Sequence, residues 1–155
     1  VFIGNSISDV LIQRISDRKN NKLSIKKDLF NLVIVLSIAS LVMIFFIMLV
    51  GEWAFSFVFG SQWKISGSYA KLYVWASAIR LIASPFNVLF IIFQEIKRFA
   101  LWQVGYFLSI ISLTFLGFLN FTSFLISITL INVVFYSIVF FMSKDIIIRY
   151  EKSLN

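Results

Sequence analysis

The sequence predicts an all-α, polytopic membrane helix bundle, with four complete transmembrane helices and the end of a fifth. Three observations predict it. The chain is 60% hydrophobic with a mean hydropathy of +0.95, against roughly 45–50% apolar residues in a soluble domain. Four apolar stretches each reach the about 20 residues that a spanning helix needs. Basic residues collect on alternate sides of those stretches, as they do in multi-pass proteins.

The elements follow in order. Residues 1–16 are apolar and then meet charge at once, so they read as the end of a longer, truncated transmembrane helix. On that reading the chain is the C-terminal portion of a longer protein. Residues 17–28 form a basic loop with Arg18, Lys19, Lys22, Lys26 and Lys27. Residues 29–50 contain no charge and would span roughly 33 Å at 1.5 Å per residue. Residues 51–69 form an external loop whose Trp53, Phe55, Phe57, Phe59 and Trp63, beside Glu52 and Lys64, suit the membrane–water interface. The second span, 70–93, carries Arg80 and Pro85. A tight link leads to the third, 99–118, and Leu119-Asn120 leads to the fourth, 121–142. Residues 143–155 are a tail. Strand-period alternation does not run through the apolar stretches, which argues against a barrel. Helices satisfy their own backbone groups, as the bilayer core demands.

Charge sets the expected orientation. Arg14, Arg18, Lys19, Lys22, Lys26, Lys27, Lys97, Arg98, Lys144, Arg149 and Lys152 fall on one face, against Lys64 and Lys71 on the other. The positive-inside rule puts the first face, with the C-terminus, in the cytoplasm. The net charge of +7 is then a topology signal and calls for no nucleic acid. Membrane lipids are the expected surroundings, and the basic 17–28 segment can touch anionic head groups.

Composition also narrows the chemistry. There is no cysteine and no histidine, so disulfides, thiol chemistry and the commonest general base and metal ligand are missing. The seven acids, Asp9, Asp17, Asp28, Glu52, Glu95, Asp145 and Glu151, lie at or beyond the span ends. No carboxylate pair, metal cluster or phosphate-cradling glycine loop stands out. The expectation is a protein that is not an enzyme and that carries no catalytic residues, metal or cofactor.

Candidate binding residues lie within the spans. Tyr73, Ser77, Arg80, Ser84 and Asn87 follow steps of four and three and so share one helix face. A charged residue near the middle of a span costs roughly 2.5–3.5 kcal/mol on insertion scales, so Arg80 should face protein or water. Two readings fit: a cavity lining that attracts an anion, or interhelix packing. Pro85 removes a backbone hydrogen bond and should kink the helix, a candidate hinge. The fourth span has a weaker stripe of Thr122, Thr129, Asn132 and Tyr136, fitting either substrate contact or interhelical bonding. Gly105 and Ser109 form a small-residue pair suited to close packing.

Phe59-Gly60-x-x-Trp63, then Ser66-Gly67, then a span with proline in its second half, resembles the second lobe of bacterial polysaccharide repeat-unit flippases. These are the Wzx-type branch, serving O-antigen and capsule, of the multidrug/oligosaccharidyl-lipid/polysaccharide exporter superfamily. Ser66 stands where the family usually has Ala. Ile3-Gly4-Asn5-Ser6-Ile7-Ser8-Asp9-Val10 also looks like a helix end of that lobe. The resemblance implies a two-lobe carrier in the bacterial inner membrane that flips undecaprenyl-pyrophosphate-linked oligosaccharide by alternating access. Arg80 is not a motif residue of that family; on the residue reading above, it would meet pyrophosphate, and Tyr73, Ser77 and Asn87 would contact sugar. Other polysaccharide assembly proteins are the implied partners. A proton- or sodium-coupled exporter of the same superfamily and a non-transporting scaffold subunit are the competing expectations.

Overall fold

The computed structural model describes residues 2–115 and 120–154, and over residues 2–9 the backbone alone. Among the described residues every regular element is helical. Helix α1 is Phe2–Asn20, α2 Lys26–Phe59, α3 Lys64–Ala83, α4 Asn87–Ile92, α5 Ile96–Phe115 and α6 Phe121–Lys152. Short 3-10 turns, Ser61–Trp63 and Ser84–Phe86, precede α3 and join α3 to α4. Four units are long and apolar enough to cross a membrane: α2, the continuous run Ser61–Ile92, α5 and α6. The protein is therefore a multi-pass helical bundle.

Several boundaries depart from the expected ones. The basic loop 17–28 shrinks to a short turn, because α1 continues to Asn20 and α2 begins at Lys26. The external loop 51–69 is almost wholly helical, since α2 runs on to Phe59 and α3 starts at Lys64. The tail is helical as far as Lys152. Hydropathy marks where a helix sits in hydrocarbon, whereas helix ends are set by capping geometry. At 34 and 32 residues, α2 and α6 are about 50 Å long and outrun a hydrocarbon core of roughly 30 Å. Part of the third expected span, 116–118, lies outside the described residues, as do the side chains of Ile3 to Asp9.

The true turns are built by recognisable caps. Leu23 N–H bonds to Arg18 O at 2.8 Å, and Glu95 N–H to Phe90 O at 2.8 Å. In each turn the preceding residue is left-handed, Lys22 at φ 52° and Gln94 at φ 60°, as a Schellman ending requires. Asn120 caps α6, its side chain accepting from Ser123 N–H at 2.8 Å.

α3 packs between α2 and α6, while α5 packs on α6 and α4, and α1 lies against α4 and the Ser84–Phe86 turn. Two apolar clusters hold the bundle. Leu11, Ile15, Ile25, Leu29, Phe86 and Leu89 form one, and Ala83, Phe90, Trp102, Tyr136, Val139 and Ile146 the other. Over its most apolar stretch the Ser61–Ile92 run is 44% buried, against 11% for α2 and 6% for α5. The span with the polar stripe is thus the central one, and α2 and α5 present their apolar sides outward to lipid.

The basic segments do meet at one end. Arg14 and Arg18 pair with Asp28, and Arg98 and Arg149 share Glu95 and Asp145. Ser24 Oγ and Ile25 N–H both donate to Glu151, and Tyr150 Oη donates to Leu23 O at 3.0 Å. These contacts tie the α1–α2 turn onto the end of α6.

Candidate binding site around Arg80

The site grows from three helices. On α5, Phe99, Trp102 and Tyr106 follow steps of three and four, which align them on one face. Phe99 stacks on Trp102 (5.5 Å between centroids, 12° between planes), and Trp102 on Tyr106 (5.7 Å, 4°). This column faces α6. Trp102 Nε1 donates to Phe135 O at 2.8 Å, and Tyr106 Oη donates to Asn132 Oδ1 at 3.0 Å. Asn132 Nδ2 bonds back to Ile128 O at 2.7 Å. The Asn132 side chain is thereby satisfied on both ends, as a buried amide must be. Gly105 lets α6 approach, with the place of its missing Cβ 3.5 Å from the Phe135 ring.

Tyr136 links this aromatic column to α3. Its ring meets Tyr106 and Trp102 edge-on, at 6.0 and 5.7 Å. The Arg80 guanidinium lies 5.9 Å from the centroid of the same ring, within cation–π range. Arg80 is exposed from this bundle, and its guanidinium has no ion pair or hydrogen bond among the described residues. Along the Ser61–Ile92 run it stands about 18 Å from the Ile92 end and about 29 Å from the Ser61 end, well inside the span.

The structure thus links Arg80 through Tyr136 and Tyr106 to Asn132, with Trp102 behind, while Tyr73 is half-buried two turns before Arg80 on the same helix. Ser77 is half-buried on the same helix. Ser84 keeps α-helical register with Arg80, its N–H bonding Arg80 O, but Asn87 parts from the stripe. The expected continuous face assumed one α-helix, but Ser84–Phe86 is a 3-10 turn. Three residues at 120° instead of 100° add roughly 60° of rotation. Asn87 Oδ1 is enclosed without a hydrogen-bond donor, while Arg80 stays open. Pro85 causes the switch. It has no N–H to offer Leu81 O, so the helix tightens around it, and the buried turn packs against α1 and α6. Trp102 and Tyr106 were missed in the sequence, although their spacing from Phe99 was the signal.

Fold and site together define a multi-pass helical membrane protein with a cationic, aromatic patch inside its central span. Residues 1–68 match a family described as polysaccharide biosynthesis protein. That stretch covers α1, α2 and the opening of α3, and it supports a membrane protein of polysaccharide biosynthesis; Arg80 and α6 lie beyond it. No curated protein and no solved structure matches the chain.

Proposed function

We propose that the protein is part of a carrier that flips lipid-linked oligosaccharide, held on undecaprenyl pyrophosphate, across the bacterial cytoplasmic membrane by alternating access. The observation that carries this reading is Arg80: a mid-span guanidinium, open on one side and without a counter-ion among the described residues. An arginine at that depth needs water or an anion, and a pyrophosphate matches its fork of donors. Tyr73, Ser77 and Tyr136 around it offer hydroxyls to sugar, and Tyr106 an aromatic face. The match over residues 1–68 favours a polysaccharide cargo over a drug. In this reading a first lobe outside the chain closes the cavity, Pro85 serves as the hinge, and the basic end with the C-terminus faces the cytoplasm. Neither catalysis nor a cofactor is required.

The test is surface polysaccharide in a flippase-deficient strain carrying the full-length protein. Wild type should restore it. Arg80→Ala should abolish it at near-normal membrane abundance, and Arg80→Lys should keep only part of it, because lysine retains the charge but loses the fork of donors. Full restoration by Arg80→Ala would reduce Arg80 to packing, as a scaffold reading requires. Drug resistance without polysaccharide would favour an exporter.

A further inference from the structure

An apolar cleft at the basic end plays no part in the Arg80 cluster, none of whose residues line it. It has a volume of 560 Å³ and opens between α2, the Ser84–Phe86 turn and α6. Val33, Phe86, Phe140 and Ile147 give it apolar walls, and Lys26, Lys27 and Lys144 also line it. Phe86 and Phe140 meet edge-on at 5.7 Å, which fixes the floor.

The arginines at this end and Lys19 are engaged: Arg14 and Arg18 by Asp28, Arg98 and Arg149 by Glu95 and Asp145, and Lys19 by Ile92 O. Asp28 and Asp145, the acids beside the lysines in sequence, are therefore already taken. Lys26, Lys27 and Lys144 are exposed, with no ion pair among the described residues. Lys22, Lys97 and Lys152 are likewise without an ion pair among the described residues, but only Lys26, Lys27 and Lys144 line the cleft. Three free ammonium groups beside an apolar trough complement a molecule with an anionic head and a hydrocarbon chain.

We propose that this cleft holds an anionic phospholipid of the surrounding bilayer, its phosphate on Lys26, Lys27 and Lys144 and one acyl chain along Val33 and Phe140. Basic pockets between spans on the positive side of a membrane are suited to such head groups. Lysine stems can lie along the apolar wall while their ammonium groups reach the phosphate. The bilayer presents this ligand all around the protein, so the site needs no delivery. This proposal does not depend on what the carrier transports.

Native mass spectrometry of the detergent-purified full-length protein tests it, with phosphatidylglycerol and phosphatidylethanolamine added in turn. Phosphatidylglycerol should bind in preference. The triple variant Lys26→Gln, Lys27→Gln, Lys144→Gln should weaken it roughly a hundredfold, at about one surface lysine's contribution each, and so erase the preference. Val33→Trp, which fills the cleft and keeps the lysines, should also reduce it. The lysine variant changes only exposed side chains, so it decides alone if Val33→Trp fails to fold. Equal binding of both lipids, or an unchanged triple variant, would overturn the proposal. So would displacement by equimolar undecaprenyl phosphate, which would make the cleft a prenyl site, or no lipid bound at all, which would mean that the rest of the protein covers it.

Discussion

The Tyr106–Asn132 bond shows how a single polar contact is placed inside an apolar bundle. Asn132 is 1% exposed, and in hydrocarbon it has no water to turn to, so α5 and α6 must supply its partners. Interhelical bonds of this kind contribute about 0.6–2 kcal/mol in membranes. Asn132→Leu and Tyr106→Phe should each lower stability by that order, and the double variant should lose less than their sum. A double-mutant cycle on chemical unfolding in detergent measures the coupling; strict additivity would mean that the bond contributes nothing. Asn132, Tyr136 and Arg80 were visible in the sequence because polar residues in apolar spans are rare. Tyr106 and Trp102 were not, because aromatic residues are as common in lipid-facing positions as in buried ones, and only the contacts with α6 separate the two.

At the scale of elements, the Phe59-Gly60-x-x-Trp63 and Ser66-Gly67 segments have a physical reading as the corner between α2 and α3. Gly60 has φ 102° and ψ 162°, a region open in practice to glycine alone. It ends α2 and lets Trp63 N–H reach Gly60 O at 3.0 Å, while the Phe59 and Trp63 rings meet at 5.9 Å. Gly67 then lets the two helices touch: a Cβ there would lie 2.4 Å from Glu52 Cα and 2.8 Å from Gly51 O. Lys71 and Ser68 hold Glu52 across the same contact, at 2.8 and 3.1 Å. Neither obstacle at Gly67 is a flexible side-chain end, so Gly67→Ala must push α3 off α2. It should destabilise by about 1–3 kcal/mol, read as a lower melting temperature in detergent. Gly51→Ala, whose nearest neighbours begin at 3.5 Å, should be tolerated; equal damage at both positions would contradict the geometry. The segment was legible as a motif but not as a corner, since its tryptophans and phenylalanines read equally well as an interfacial loop.

For the whole molecule, the distribution of charge was the most readable feature, and the contacts explain what it builds. On the face that gathers the basic residues, Arg14 and Arg18 form with Asp28, Ser24 and Glu151 a continuous clasp. Its anchor is Glu151, which accepts from both Ser24 Oγ and Ile25 N–H at 2.9 and 3.0 Å. Glu151→Ala should free the turn 21–25 from α6 and speed tryptic cleavage after Lys22 several-fold, while the spans stay intact; unchanged cleavage would show that Tyr150 alone holds the turn. Cleavage from one side of sealed vesicles also reports which face is cytoplasmic, which the charge pattern predicts to be this one. Four spans and their order followed from hydropathy; the central place of the Arg80 helix came only from its packing between α2 and α6. Nor did the helix lengths follow from hydropathy, because apolarity records the thickness of the membrane while caps at Gly60, Lys22 and Gln94 decide where each helix stops.

The account stands on the claim that Arg80 lines a water-filled, anion-receiving cavity in mid-membrane. The chain has no native cysteine, so cysteine placed at position 80 of the full-length protein, with any cysteines elsewhere removed, can be probed alone in intact membranes. An anionic thiol reagent should modify Cys at 80 readily and Cys at the lipid-facing Val104 position, 56% exposed, hardly at all, and added lipid-linked oligosaccharide should slow the reaction at 80. Position 80 as unreactive as position 104 would place it in lipid or packed protein and contradict the claim.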